Sequence, residues 1–159
     1  HRVERGVRTV VFRKPELLVV FDAVDLERAQ AVEIRFQAFN RDGQGTVMTD
    51  DGSIRIKRPR AGLKVVAGGN QVVSVRADKL DLPADMPIYP FGAVTSEATK
   101  RHRVLSVCAA HSAGEVPAEV RWREEGGNWL IAGERNGKSF EIRLAERSAQ
   151  RAPAISVTS

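Results

Sequence analysis

Aromatic residues, cysteine and long apolar runs are scarce in this sequence. Aromatic residues make up only 6% of the 159, and Cys108 is the single cysteine, so no disulfide can form within the chain. No apolar stretch approaches the roughly 20 residues that span a bilayer, and residues 1–5 are polar and charged, unlike the start of a signal peptide. We therefore expect no membrane partner. A domain of this length buries roughly 70% of its unfolded surface, so it needs no metal or cofactor to fold.

Signatures of catalysis and metal binding are also missing. His1, His102 and His111 do not pair at the spacing of metal ligands, and Cys108 stands alone. The sequence contains no Gly-x-Ser-x-Gly elbow and no phosphate loop. Tyr89 is interpreted as a loop anchor, His102 as a polar strand-edge residue and His111 as a surface turn residue. We therefore predict no metal site and no catalytic residue in this chain.

What the sequence does contain is repeated short alternation of apolar and polar residues, broken by Gly, Asn, Asp and Pro. This pattern is typical of antiparallel strands joined by tight turns. Residues 7–13 and 17–22 predict a first hairpin, residues 32–39 a half-buried strand, and residues 99–110 the longest strand. The apolar run 17–22 predicts a central strand that is covered on both faces.

Turn residues predict several of the connections. Asp51-Gly52 and Asn136-Gly137 carry a strong hairpin signal, because a type I′ turn needs positive φ at both central residues. Residues 63–66 and 71–76 predict another hairpin around Gly68-Gly69-Asn70. Two further segments predict loops: residues 25–31 and 77–92.

Together these patterns predict an all-β fold. The architecture we expect is an antiparallel β-sandwich built from hairpins, in a supersandwich-like arrangement. After Glu146 the composition becomes polar and unpatterned. We therefore predict one sandwich domain over residues 1–147 and a tail or edge strand over 148–159.

Basic residues outnumber acidic ones, 25 to 20, which gives a formal net charge of +5 and favours anionic partners. Two basic clusters are candidates for substrate binding, because guanidinium groups bind carboxylate and sulfate bidentately. Their members are Lys57, Arg58 and Arg60 in the first cluster, and Lys100, Arg101 and Arg103 in the second. The alternative is a solvated charged edge that prevents edge-to-edge aggregation.

Two other kinds of binding, to nucleic acid and to sugar rings through aromatic stacking, have less support in the sequence. The basic stretches are not interleaved with aromatics, as they are in many nucleic-acid-binding domains, so we expect no nucleic-acid partner. Trp122 and Trp129 lie on the two strands of one predicted hairpin, where they either pack across the strands or form a sugar-stacking platform. Packing is the favoured interpretation.

Residues 8–22 resemble a stretch of heparinase II/III-like polysaccharide lyases. There, as in this chain, a basic strand ends in a Lys-Pro turn and returns as an apolar strand that closes on Asp22. The later order of features is similar as well. A proline-containing loop precedes a long strand over 103–110, and residues 112–117 lead into terminal hairpins. The resemblance covers roughly residues 1–145.

This resemblance implies a role in β-elimination of uronate-containing polysaccharide. Such lyases join an N-terminal helical toroid to C-terminal antiparallel sheets, and their catalytic segments are not matched by this chain, so the resemblance transfers no catalytic residue. We expect a C-terminal β-sandwich domain, periplasmic or secreted, that supports an absent helical toroid and contacts acidic polysaccharide. The alternative is a stand-alone carbohydrate-binding module.

Overall fold

All regular elements that the structure describes are β-strands. The structure is a computed structural model, and it describes residues 2–135, 137–145 and 154–158. Within these ranges the strands are β1 (Val3–Arg13), β2 (Leu17–Gln30), β3 (Glu33–Gln37), β4 (Thr46–Asp50), β5 (Ser53–Lys57), β6 (Ala61–Gly69), β7 (Val73–Lys79), β8 (Pro90–Ser96), β9 (Thr99–Ser112), β10 (Glu119–Glu125), β11 (Asn128–Arg135), β12 (Lys138–Ala145) and β13 (Ala154–Thr158).

The chain divides into two compact units, residues 1–116 and 117–159. The segment predicted as one sandwich domain, 1–147, includes all of the first unit and much of the second. Of the segment predicted as a tail or edge strand, residues 154–158 form β13, which pairs with β12. Residues 148–153 and 159 lie outside the described residues.

The first unit is an antiparallel sandwich of two sheets. The larger sheet has the order β1-β2-β9-β6-β5-β4, and the smaller has the order β3-β8-β7. Their facing side chains form one core that includes Ile54 and Val65 from the larger sheet and Ile34 and Val94 from the smaller. Gly92 allows close approach here, because a Cβ at this position would overlap Ile54. The predicted sandwich is confirmed.

Strand β2 is central, and it is longer than predicted. It pairs with β1 on one side and β9 on the other, and the successive residues Val19, Val20 and Phe21 are all buried, as expected for a strand covered on both faces. Residues 25–30 continue the strand, so the loop predicted over 25–31 is wrong. Arg101 pairs with Asp25 and Thr99 with Gln30, so pairing with β9 extends the strand through a segment whose local sequence has no strand pattern.

The hairpin predicted between residues 63–66 and 71–76 is also wrong. Strand β6 pairs with β5 and β9, whereas β7 pairs with β8 in the smaller sheet. Asn70 explains the exchange of sheets: its Oδ1 accepts the Arg103 N–H (2.8 Å), and its own N–H donates to the Arg103 carbonyl (3.0 Å). The turn residue is thus held by β9, and the chain leaves in another direction.

Other turns match the prediction. Asp51 and Gly52 have φ angles of 47° and 69° between β4 and β5, as a type I′ turn requires. The loop predicted over 77–92 is shorter in the structure, since β7 extends to Lys79 and β8 begins at Pro90. The first hairpin joins Arg13 to Leu17, with a cis Lys14–Pro15 peptide bond.

The second unit is a four-stranded antiparallel sheet in chain order, β10-β11-β12-β13. Gly126 and Gly127, with φ angles of 58° and 82°, form the turn between β10 and β11. Strands β11 and β12 pair as predicted, but Asn136 of their connecting turn lies outside the described residues. Alternate residues such as Trp129, Ile131, Ile142 and Leu144 are buried, so the sheet has one apolar face.

Candidate functional site

The two basic clusters lie at opposite ends of strand β9. Strand register places Lys57 opposite Gly62, and Gly62 opposite His111 near the end of β9, whereas Arg101 and Arg103 lie near its beginning. Arg103 and His111 are eight positions apart along β9, which at the usual rise corresponds to about 26 Å. The fold therefore does not bring the two clusters together into one site.

Arg58 is held by a carboxylate and an amide of the loop between β3 and β4. Its Nη1 and Nη2 donate to the two carboxylate oxygens of Asp42, each at 2.6 Å, and Nη1 also donates to Asn40 Oδ1 at 2.9 Å. The Arg58 guanidinium and the Gln44 N–H lower the pKa of Asp42 to about 2. Arg58 thus stabilises a loop. Both terminal nitrogens of its guanidinium group already donate to Asp42.

Asn40 joins two loops at the same end of the first unit. It is 2% exposed, its Nδ2 donates to the Ile88 carbonyl at 2.7 Å, and its Oδ1 also accepts the Gly45 N–H. Gly45 has to be small, since a Cβ there would lie 2.7 Å from Asn40 Oδ1. Because the side chain of Asn40 is fully engaged, the loops around residues 40–45 and 80–89 are fixed relative to each other.

Lys57 and Arg60 differ from Arg58 in being exposed, and neither makes an ion pair within the described part of the chain. The turn that carries Arg60 is attached to the segment after β9, because the Ala113 N–H donates to the Arg60 carbonyl at 3.1 Å. Exposed apolar side chains, Phe39 (73%) and Ile88 (61%), lie on the neighbouring loops. This end therefore combines uncompensated cations with apolar surface.

The cluster at the beginning of β9 is arranged differently. The Arg103 side chain is 14% exposed and donates to Asp25 Oδ1 at 2.8 Å, and Arg5 approaches the same carboxylate at 3.7 Å. Lys100 and Arg101 are exposed, and they point to opposite faces of the strand. Here the cations lie on a regular strand, and the turn after β6 contacts that strand through the exposed Asn70, whose Nδ2 donates to the Arg101 carbonyl at 3.2 Å.

The remaining candidates from the sequence are structural. His102 is fully buried, which corrects its interpretation as a strand-edge residue. Its Nδ1 lies 2.6 Å from Ser96 Oγ, and its Nε2 lies 3.0 Å from the Thr99 carbonyl. Burial raises the pKa of Cys108 to about 12, so this thiol is unreactive.

The tryptophans pack against each other in the second unit. The ring centroids of Trp122 and Trp129 are 5.5 Å apart, and Trp129 is 2% exposed. Cross-strand packing, the favoured interpretation from the sequence, is confirmed. Trp129 is therefore inaccessible to a sugar.

Two generic site types do not occur in the described parts of the chain. No group of three or more His, Cys, Asp or Glu side chains there is placed to hold a metal ion. Within the same ranges we find no helix with the length and apolarity that a bilayer-spanning segment requires. Comparison of the chain with models of protein families gives no match, and comparison with curated proteins gives none either.

Sequence reasoning missed three residues of this end of the molecule. Asn40 and Asp42 lie in a polar loop where nothing in the sequence distinguishes them from ordinary turn residues. His111 was interpreted as a turn residue, but it is the penultimate residue of β9. The Gly62 that faces it was visible in the sequence, but its meaning depends on register across two strand pairs.

Proposed function

We propose that this chain is the β-sandwich part of a heparinase II/III-like polysaccharide lyase and that it contacts acidic polysaccharide through Lys57 and Arg60. The observation that supports the binding proposal is that the three cations of the first cluster have different partners. Arg58 is neutralised by Asp42, and Lys57 and Arg60 on either side of it are exposed without an ion pair among the described residues.

The physical argument rests on preorganisation. A loop held by Asn40 and by the Arg58–Asp42 pair keeps its shape before a ligand arrives, so less conformational entropy is lost on binding. Exposed ammonium and guanidinium groups on such a frame attract a carboxylated polymer and form charge-assisted hydrogen bonds with it. Phe39 and Ile88, exposed on the loops that Asn40 joins, offer apolar surface to the faces of sugar rings.

In this proposal the sandwich binds substrate and does not perform the elimination. β-Elimination at a uronate needs a base and an acid within hydrogen-bond reach of one sugar. One histidine of the first unit, His102, is buried and hydrogen-bonded to Ser96 and Thr99, so a sugar does not reach it. The catalytic groups would be supplied by the helical toroid, and the proposed location is periplasmic or extracellular.

Binding of a polyglucuronate and of its carboxyl-reduced form, measured by calorimetry at low and high salt, tests this function. We expect salt-sensitive binding of the acidic polymer only. The double variant Lys57→Ala/Arg60→Ala should bind about tenfold more weakly, which corresponds to about 1.4 kcal/mol for two charged contacts.

The matched control is Lys100→Ala/Arg101→Ala, which removes the same charge from the other end of β9. An equal loss in both variants would mean that only net charge matters and would contradict a site at Lys57 and Arg60. Equal binding of the acidic and the carboxyl-reduced polymer would favour a stand-alone carbohydrate-binding module.

A further inference from the structure

His111 presents one ring nitrogen that the fold leaves unused. Its Nδ1 lies 3.0 Å from the Ser112 carbonyl. A carbonyl oxygen only accepts, so Nδ1 must carry the proton and donate it. In the neutral imidazole the other nitrogen, Nε2, is then an acceptor with a free lone pair. Nε2 has no hydrogen-bond partner among the described residues.

Gly62 determines where that nitrogen lies. The ring of His111 rests over Gly62, and a Cβ at position 62 would overlap its Cε1 and Nε2. The imidazole therefore reaches from β9 across the neighbouring strand towards β5. The absence of a side chain at position 62 is what allows this reach.

Lys57 stands on the far side of Gly62. It is directly opposite Gly62, which is directly opposite His111, so all three positions share one face of the sheet. The backbones of β5 and β9 are two strand spacings apart here, about 10 Å. Lys57 and His111 thus flank a glycine, which has no side chain, on one face of the sheet.

We propose that Lys57 and His111 form a subsite for a single uronate residue. Lys57 would bind the carboxylate, and His111 Nε2 would accept a hydrogen bond from a hydroxyl of the same sugar. The subsite deepens the proposed function and rests on it. The tautomer whose Nδ1–H donates to the Ser112 carbonyl favours a uronate over free sulfate, because sulfate has no proton to donate to a neutral nitrogen and a sugar has hydroxyl protons.

Neighbouring charges are consistent with an anionic sugar. Arg60 lies near this end of β9, because the Ala113 N–H donates to the Arg60 carbonyl. The acidic residue next to His111 along the chain is Glu115, whose carboxylate accepts the Ser112 N–H at 3.2 Å. Its carboxylate is therefore engaged with the backbone of the last residue of β9.

The test compares three variants of the full chain in calorimetric binding to an oligoglucuronate at pH 8, where histidine side chains are ordinarily neutral. His111→Ala should weaken binding about fivefold without changing its salt dependence, because the lost contact is uncharged. Lys57→Ala should weaken binding and also make its salt dependence shallower, because a cation is lost. Gly62→Ala should reproduce His111→Ala, because the new Cβ displaces the imidazole while every cation remains.

The three variants distinguish a failure of the proposed function from a failure of the subsite alone. If the wild-type chain does not bind the oligoglucuronate, the proposed function and the subsite both fail. If it binds and Lys57→Ala weakens binding, but His111→Ala and Gly62→Ala leave the affinity unchanged, only the subsite is overturned. Should Gly62→Ala not fold, the His111→Ala result decides, with circular dichroism confirming that this variant keeps its strands.

Discussion

The two basic clusters have nearly the same composition, and each contains one arginine that is held by an aspartate. At the first cluster Arg58 and Asp42 join a loop to a turn, and Asn40 holds a second loop to them. At the second cluster Arg103 and Asp25 join β9 and β2, strands that are already paired through their backbones. The same ion pair thus shapes an irregular surface in one place and reinforces a regular sheet in the other.

This difference explains why the first cluster is the better candidate for a binding site. Positive charge is present at both ends, so charge alone does not distinguish them. Within the described residues the first end differs in two ways: a buried asparagine, Asn40, joins its loops, and His111 there has an unused imidazole nitrogen. Removing the residues that build each end is the direct way to test the comparison.

The largest effect is expected from Asn40→Ala. Asn40 is 2% exposed, and its loss leaves the Gly45 N–H and the Ile88 carbonyl without their partner. Unfulfilled buried groups cost about 1–3 kcal/mol each, so the free energy of unfolding should fall by about 2–4 kcal/mol. Urea unfolding measures this change. The control is Asn70→Ala at the other end, whose contacts are exposed and whose loss should cost under about 1 kcal/mol; a larger cost there would contradict the comparison.

A smaller effect is expected from Arg103→Met. The substitution keeps an unbranched apolar chain but leaves Asp25 with only the distant Arg5, 3.7 Å away. Because the pair is only partly buried and the strands remain paired, we expect a loss of about 1 kcal/mol in unfolding free energy. Arg5→Met is the matched control and should cost less, since its contact with Asp25 is longer. Similar costs for both variants would show that Arg103 has no special role in the sheet.

The smallest effect is a pH dependence at Asp42. Its pKa in the folded protein is about 2, below the ordinary value of 3.8. A carboxylate with a depressed pKa adds stability above its unfolded pKa and loses it as the pH falls towards the folded pKa. The difference in unfolding free energy between wild type and Asp42→Asn should therefore shrink between about pH 4 and pH 2, as measured by urea unfolding at several pH values.

Arg58 supplies the control for that prediction. In an Arg58→Ala background the hydrogen bonds that depress the Asp42 pKa most are gone. Asp42→Asn should then have an effect that hardly changes with pH over the same range. A pH-dependent difference that persists without Arg58 would assign the shift to another group.

Local turn chemistry made several connections predictable. Asp51-Gly52 needs positive φ at adjacent positions, and few residue pairs permit it, so the sequence points to a hairpin and the structure has one. The Gly68-Gly69-Asn70 segment has turn residues too, but it does not close a hairpin. Asn70 is bound by Arg103, 33 residues later in the chain. No local pattern reports such a partner.

The sequence predicted the charged residues of the candidate site but not their partners. The cations could be identified from the sequence, because charged side chains nearly always remain at the surface. Which of them is already paired depends on loops that lie far apart in the chain, as with Arg58 and Asp42. The proposed role of His111 depends on the register of β5, β6 and β9, which places it in line with Gly62 and Lys57. No single segment of the sequence predicts this register.

By itself the sequence determined that this is an all-β chain with central apolar strands, tight turns and a basic surface, because alternation, turn residues and charge act over a few neighbouring residues. Tertiary structure alone decided that the chain forms two units, that β6 and β7 enter different sheets, and which arginine of each basic cluster is held by an aspartate. Those features depend on strand pairing and ion pairs between residues that are distant in the sequence. Such interactions contribute to stability only after folding has brought the residues together.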